Sequence, residues 1–324
     1  MSDMNLNGPA NGGGAATSSG ILFQQQLGAH FAAQILSGHR LDARLGLGEA
    51  SPVWLRFETE APVDDILVAT SADGFIAIQA KTTLSLSDDK KNPFYQTVEQ
   101  FVRQWLTCRD GNGSLDWNRP LDSDKDRLVL AVSTRAPASI REELPVALSL
   151  FSQHGLGAMN KRQAKAFSIF ERCISAAWGN ITSEPLPPHL VSEFCRLVVV
   201  LVVDVENMAS LAYLQLAQSL TKDSDATTVL SIFTEICGTM MSYRGGGDLS
   251  IFRNELAGKG IELAAPPRYK HDIAQLQQHS QEIADSLNRY EAIESQTGQP
   301  VTLHRECQNE VEHDLPPELD TTFS

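Results

Sequence analysis

The sequence of 324 residues lacks an apolar run long enough to span a lipid bilayer. A spanning helix needs about 18 or more consecutive apolar residues. The longest apolar stretch, 197–203, has the length and β-branched content of a buried strand. Residues 1–19 are glycine-rich and lack the basic and apolar regions of a signal peptide. We therefore interpret residues 1–19 as a flexible leader and expect no membrane partner.

Metal-ligand spacings and nucleotide-binding loops are also missing from the sequence. The five cysteines lie far apart in no metal-ligand spacing, and the eight histidines are scattered. Reduced thiols in a cytoplasmic protein are the simplest interpretation. The glycine run 245–247 is not followed by the Lys-Ser/Thr pair of a phosphate-binding loop, and we expect it to interrupt the secondary structure.

Positive charge is scarce, since the formal net charge is −14. Residues 271–324 carry eleven acidic residues against only Arg289 and Arg305. The rest of the chain has no broad basic stripe of the kind that dominates non-specific DNA affinity. Weak DNA binding by a monomer, strengthened in a homo-oligomer, is compatible with this charge pattern.

What the chain does contain is an alternation of helical and strand-like patterns. Apolar periodicity predicts a helix over 21–37, and strands are predicted near 53–59, 64–70 and 74–81. Strands alternating with helices indicate an α/β core sheet with helical cover. Farther along the chain, a helix is predicted over 92–107, strands near 128–132 and 196–205, and helices over 140–151 (which Pro145 could divide), 158–178, 187–196, 208–220 and 224–241.

Polar residues gather at one end of the hairpin that the strands near 64–70 and 74–81 predict. Asp64 and Asp65 open the first strand, and Gln79 and Lys81 close the second. Because side chains on a strand alternate between faces, Gln79 and Lys81 point to the same side of the sheet. A carboxylate pair, an amide and a lysine are the groups that a metal-dependent phosphodiester hydrolase needs.

The chemistry explains these residue types. Phosphodiester hydrolysis requires a hard cation, usually Mg²⁺ with Mn²⁺ as the alternative, held by one or two carboxylates together with water and phosphate oxygens. The two aspartates are the candidate carboxylates, with Glu58 and Glu60 just upstream. The Gln79 oxygen can bind the metal or its water. Lys81 can place positive charge near the attacking water and the developing charge on phosphorus.

Each residue also has an ordinary structural explanation. An Asp-Asp pair before a strand is often a turn signal, and a lysine that ends a strand is often an exposed edge charge. The order, strand placement and shared face of the residues favour the functional interpretation when they are taken together.

The arrangement resembles the PD-(D/E)XK nuclease superfamily, in which an acidic residue on one strand precedes a (D/E)-x-K triplet on the next. Here the triplet is Gln79-Ala80-Lys81. This Q-x-K form is similar to the double-stranded-DNA nuclease domains of bacterial anti-phage effectors, including CBASS effector nucleases and Avs-type STAND proteins. The early segment GILFQQQ at 20–26, with Gln25 as a supporting residue, and the run from Glu60 to Asp65 are similar as well. The resemblance covers roughly residues 20–135.

The resemblance implies a restriction-endonuclease-like mixed sheet flanked by helices, followed by a mainly helical region. It implies a Mg²⁺-dependent endonuclease that degrades double-stranded DNA in anti-phage defence. Asp65, Gln79 and Lys81 would be catalytic, and Glu60, Asp64, Asp65 and Gln79 would hold the metal, with Glu58 in support. Because no Walker A sequence occurs, we expect a stand-alone protein or an N-terminal portion, with a STAND or other NTPase as a partner.

These expectations divide the chain into five segments. They are a leader at 1–19, a nuclease domain at 20–205, a helical extension at 206–266, an amphipathic helix at 267–297 and an acidic tail or linker at 298–324. The amphipathic helix either packs on its own domain or mediates self-association or docking.

Two other functional classes stay open. Gln79 places a neutral amide where the superfamily usually has a charged ligand, which weakens metal binding. The chain could therefore be a degenerate nuclease fold that only binds nucleic acid or a nucleotide. It could instead be an assembly adaptor of a defence complex, with the helical half as the working part.

Overall fold

A computed structural model describes residues 13–111, 119–205, 207, 210–220, 225–261 and 263, without the side chains of 13–17, 110, 211, 212, 215 and 219. These residues belong to one compact unit that extends to Pro266. The predicted amphipathic helix and acidic tail lie outside the described residues. The helices are α1 (Gly13–Ser37), α2 (Pro93–Asp110), α3 (Leu144–His154), α4 (Lys161–Thr182), α5 (Pro188–Leu197), α6 (Leu211–Leu220), α7 (Ala226–Ser242) and α8 (Leu249–Gly258).

The strands form a single mixed sheet of six, in the order β5-β4-β3-β2-β1-β6. Neighbours β6, β1, β2 and β3 pair antiparallel, whereas β3, β4 and β5 are parallel. This confirms the predicted α/β class, a mixed sheet flanked by helices. The strands are β1 (Pro52–Phe57), β2 (Ile66–Thr70), β3 (Phe75–Lys81), β4 (Arg127–Ser133), β5 (Val198–Val203) and β6 (Gly246–Asp248).

Helices cover both faces of the sheet. In β3, Ile76 and Ile78 pack with α1, α7 and α8, whereas Ala77 faces the side covered by α2, α4 and α5. Each face buries its own apolar cluster, which explains why the strand β4 is buried along its whole length and is apolar from Leu128 to Val132. The two-residue period of the strands therefore decides which helix layer each side chain meets.

Two features differ from the predicted elements, and a third confirms a predicted alternative. Helix α1 begins at Gly13, inside the predicted leader; its first turns contain only Gly, Ala, Thr and Ser, so no periodic pattern of large apolar residues marks them in the sequence. A π-helical segment occupies Ser139–Glu143, and α3 begins at Leu144, so the predicted helix divides next to Pro145 as the sequence indicated. The glycine run that was expected to interrupt the structure instead contributes the edge strand β6.

Strand β6 shows why glycine is needed there. Gly246 pairs with Arg56 of β1, and a Cβ at position 246 would collide with the backbone of Leu55 and Arg56. Through β6 and the packing of α7 on α1, the segment predicted as a helical extension contributes to the same sheet and core. No helix in the described part of the chain is both long and apolar enough to cross a bilayer.

Candidate active site

The β2–β3 hairpin brings three of the predicted residues together at one end of the sheet. Ile66 pairs with Ile78, so the preceding Asp65 stands opposite Gln79. Gln79 Nε2 donates a hydrogen bond of 2.6 Å to Asp65 Oδ2, and the backbone N–H of Ala80 donates one of 2.7 Å to the same oxygen. Lys81 Nζ lies 3.7 Å from that oxygen. Gln79 and Lys81 share a face and a cleft, as the strand period predicted.

The Asp65 carboxyl group is buried enough to change its chemistry. Only 14% of its side chain is exposed. Burial raises the pKa of Asp65 to about 6, opposed by Lys81 and the Ala80 N–H and supported by the nearby carboxylates of Asp64 and Glu58. A desolvated carboxylate with like charges close by binds a proton more tightly, and by the same electrostatics it attracts a cation.

A glutamine of α1 joins the cluster from the other side of the hairpin. Gln24 Nε2 donates hydrogen bonds of 2.9 Å to Glu58 Oε1 and 2.9 Å to the backbone carbonyl of Asp65. Glu58 directly follows β1 in a left-handed conformation with φ of 46°, which is uncommon for a residue other than glycine. Glu58, predicted as a supporting residue, therefore lies within the cluster.

Gln25, which the sequence predicted as a supporting residue, lies next to α7 and not in the cluster. Gln25 points to α7, where a Cβ on Gly238 would lie 2.8 Å from Gln25 Nε2. Neighbouring helix residues are about 100° apart around the axis, so Gln24 and Gln25 cannot serve the same site. The sequence does contain a signal that favours Gln24 over Gln25. Gln24 precedes the buried Leu27 and Phe31 by three and seven residues, which places all three on one face of the helix.

Asp64 and Glu60, two of the predicted metal ligands, are not hydrogen-bonded to the other residues of the cluster within the described part of the chain. Asp64 precedes Asp65 by one residue, and its backbone carbonyl accepts a bond of 3.0 Å from Thr59 N–H. Its carboxylate is near enough to raise the pKa of Asp65. Glu60 is exposed. Within the described ranges, no side-chain hydrogen bond or ion pair joins either carboxylate to Asp65, and no three His, Cys, Asp or Glu side chains are grouped so that they could hold a metal ion.

A polar cleft of about 310 Å³ adjoins the cluster, between the end of β3 and α2. Two buried atoms at this cleft, Gln79 Oε1 and Thr97 Oγ1, have no hydrogen-bond partner among the described residues. Buried polar atoms without a partner are uncommon, and an ion or a water could satisfy them. The lining residues are Gln79, Lys81, Pro93, Gln96, Thr97, Glu99, Gln100 and Arg103.

Three side chains of the cluster carry oxygens that could contribute to holding one hydrated divalent cation. Mg²⁺ usually keeps several waters and uses only one or two carboxylates. Asp65 and Glu58 supply two carboxylates, and Gln79 supplies an amide oxygen that no donor occupies. This set suits Mg²⁺ or Mn²⁺ with few protein ligands, and it does not resemble a closed structural metal site.

Comparisons with protein families, with curated proteins and with solved structures gave no match for this chain. The functional interpretation therefore depends on the geometry of the cluster and on the motif in the sequence.

Proposed function

We propose that this protein is a metal-dependent endodeoxyribonuclease that degrades double-stranded DNA in bacterial anti-phage defence, in the cytoplasm. The observation that carries the proposal is the convergence of Asp65, Gln79 and Lys81 at one end of a mixed sheet, beside a polar cleft. The homo-oligomer and the STAND or other NTPase partner that the resemblance implies belong to the same proposal.

Each residue of the cluster has a defined task in this reaction. A bound Mg²⁺ would polarise the phosphate and lower the pKa of its water. Asp65 and Glu58 would hold the cation, and Gln24 keeps the Glu58 carboxylate in place. Gln79 orients Asp65 through its 2.6 Å hydrogen bond and offers its free oxygen to the cation or its water. Lys81 would stabilise the negative charge that develops on the phosphate oxygens.

The test is cleavage of plasmid DNA by the full chain with Mg²⁺ or Mn²⁺. We expect cleavage by the wild type, and we expect Lys81→Ala and Asp65→Ala to abolish it. Lys125→Ala is the matched control, because this exposed lysine lies beside Gly74 of the hairpin turn, at the opposite end of the strands from the site. Cleavage that survives both Lys81→Ala and Asp65→Ala would show that the site is wrong.

A second candidate is a degenerate nuclease fold that binds nucleic acid without cutting it. The neutral Gln79 and the small number of carboxylates in the cluster favour this alternative. It predicts a shift of DNA in a gel with no cleavage in any divalent metal. A discrete oligomer that neither cleaves nor binds DNA would favour the assembly adaptor.

A further inference from the structure

The turn between α7 and β6 presents an aromatic ring on a fixed support. Tyr243 is 60% exposed, and its ring lies so close to the backbone of Gly245 that a Cβ there would collide with it. Arg244 between them adopts a left-handed φ of 56°. A residue other than glycine keeps such a conformation only where the surrounding structure holds it, and residues of this kind cluster at functional sites.

Hydrogen bonds to the neighbouring elements hold this turn. The N–H of Phe57 donates to Gly245 O at 3.0 Å, and the N–H of Gly245 donates to Met240 O at 2.8 Å. Arg56 Nε, on β1, donates to the carbonyl of Arg244 at 3.1 Å. The side chains of Arg56, Tyr243 and Arg244 are therefore displayed from a rigid frame.

The two arginines make a positive patch in an acidic protein. Both are exposed, and neither has a carboxylate partner within the described residues. The nearby carboxylates have other donors: Asp248 caps α8 by accepting from the N–H groups of Ser250 and Ile251, and Glu58 accepts from Gln24. The guanidinium groups are therefore available to an anionic ligand.

The patch adjoins the candidate active site along the sheet. Arg56 pairs with Leu67 of β2, and Asp65, two residues before Leu67 and just outside the strand, is on the same face. Diagonal neighbours of this kind are about 7–8 Å apart between Cα atoms. A polymer bound by Arg56 could therefore extend to Asp65 without leaving this face of the sheet.

We propose that Arg56, Tyr243 and Arg244 form a nucleic-acid-binding strip, which rests on the proposed function for its role as a substrate subsite. The arginines bind backbone phosphates, and the Tyr243 ring stacks on an unpaired base. Exposed aromatic rings beside cationic side chains are the usual platform for unpaired nucleic acid. The preferred ligand is therefore duplex DNA with a single-stranded extension.

The test measures binding separately from cleavage. Fluorescence anisotropy of the full chain in EDTA compares a blunt duplex with the same duplex carrying an unpaired extension. We expect the wild type to prefer the extended probe. Tyr243→Ala should weaken binding of that probe about tenfold, and Tyr243→Phe, which keeps the ring, should retain the affinity. Equal binding of both probes by the wild type, or an unchanged preference in Tyr243→Ala, would overturn the stacking role.

The arginines are tested by salt dependence. The double variant Arg56→Gln with Arg244→Gln should weaken binding of both probes and reduce the slope of log affinity against log salt by about two. Arg253→Gln is the control, because this exposed arginine lies on α8 and not on the turn. Circular dichroism establishes that each variant is folded. A double variant that binds like the Arg253 control would refute the strip.

Failure of the strip and failure of the nuclease give different results. Lys81-dependent cleavage by strip variants that bind like the wild type would refute the strip and leave the nuclease. Lost binding in the strip variants, with no cleavage by the wild type, would support the strip and refute the nuclease. A wild type that binds neither probe would refute the strip.

Discussion

Asp65 and Gln79 face each other across the β2–β3 pair, and the Gln79 amide donates to the carboxylate oxygen that also accepts the backbone N–H of Ala80. Oδ2 of Asp65 accepts both hydrogen bonds, and Lys81 Nζ is near the same oxygen. Among the described residues, Gln79 Oε1 has no hydrogen-bond partner. The pair thus combines an oriented carboxylate with a neighbouring unused acceptor, an arrangement that could accept a cation.

A charge placed at position 79 tests this arrangement directly. We expect Gln79→Glu to lower the free energy of unfolding of the metal-free protein by about 1–3 kcal/mol, because two buried carboxylates would then repel each other. Mg²⁺ should recover that loss and raise the melting temperature more than in the wild type. Gln96→Glu adds the same charge to the exposed wall of the cleft and is the control. An equal loss of unfolding free energy in Gln79→Glu and Gln96→Glu would contradict the proposed repulsion between positions 65 and 79.

The two adjacent glutamines of α1 should behave differently. Gln24→Ala removes the donor to Glu58 and to the Asp65 carbonyl, so we expect a loss of about 1–3 kcal/mol in unfolding free energy and slower plasmid cleavage. Gln25→Ala should leave cleavage unchanged, because this side chain packs on Gly238. Urea unfolding and initial cleavage rates give the two readouts. A larger effect on cleavage from Gln25→Ala would reverse the assignment.

Much of the hairpin could be predicted because its information is local. The strand period places Gln79 and Lys81 on one face, and a short turn fixes which residue of β2 stands opposite Gln79. The choice between Gln24 and Gln25 could not be made in the same way. The two residues are chemically identical, and only the rotation of α1 against the sheet decides which one reaches Glu58.

Other features depended on tertiary contacts that leave little trace in the sequence. Strand β6 is built from glycines with no side-chain pattern, and its identity comes from close approach to β1. Asp64 is chemically identical to Asp65, yet it is Asp65 whose carboxylate accepts from Gln79 and from the N–H of Ala80. The exposed Glu60 shows that sequence proximity to the site is not enough.

A second buried carboxylate, Asp126, secures the fold at the end of the sheet opposite the site. Its Oδ1 accepts from the N–H of Phe75 at 2.7 Å, and its Oδ2 accepts from Arg119 Nη1 at 2.6 Å and Asp122 N–H at 2.7 Å. We expect Asp126→Ala to cost about 1–3 kcal/mol in urea unfolding, because it leaves the partly buried donors of Phe75, Arg119 and Asp122 without their acceptor. Asp124→Ala, at an exposed position of the same loop, should cost less than about 1 kcal/mol. Similar losses from the two would contradict this role.

The raised pKa of Asp65 predicts the pH dependence of stability. Its value is about 6 in the folded protein against an ordinary 3.8, so the folded chain binds this proton more tightly than the unfolded chain. The free energy of unfolding should therefore fall as pH rises from about 4 to about 6 and level off above, with a total of roughly 3 kcal/mol from this group.

Replacement of the carboxyl group should remove that dependence. We expect the wild type to lose unfolding free energy as pH rises from about 4 to about 7, and Asp65→Asn to lose less over the same range. The measurement is urea unfolding without divalent metal. Glu60→Gln, at an exposed position, should follow the wild type. Mg²⁺ competes with the proton for the ionised carboxylate, so its stabilising effect on the wild type should increase with pH and be lost in Asp65→Asn. Equal stabilisation of both proteins by Mg²⁺ would place the cation elsewhere.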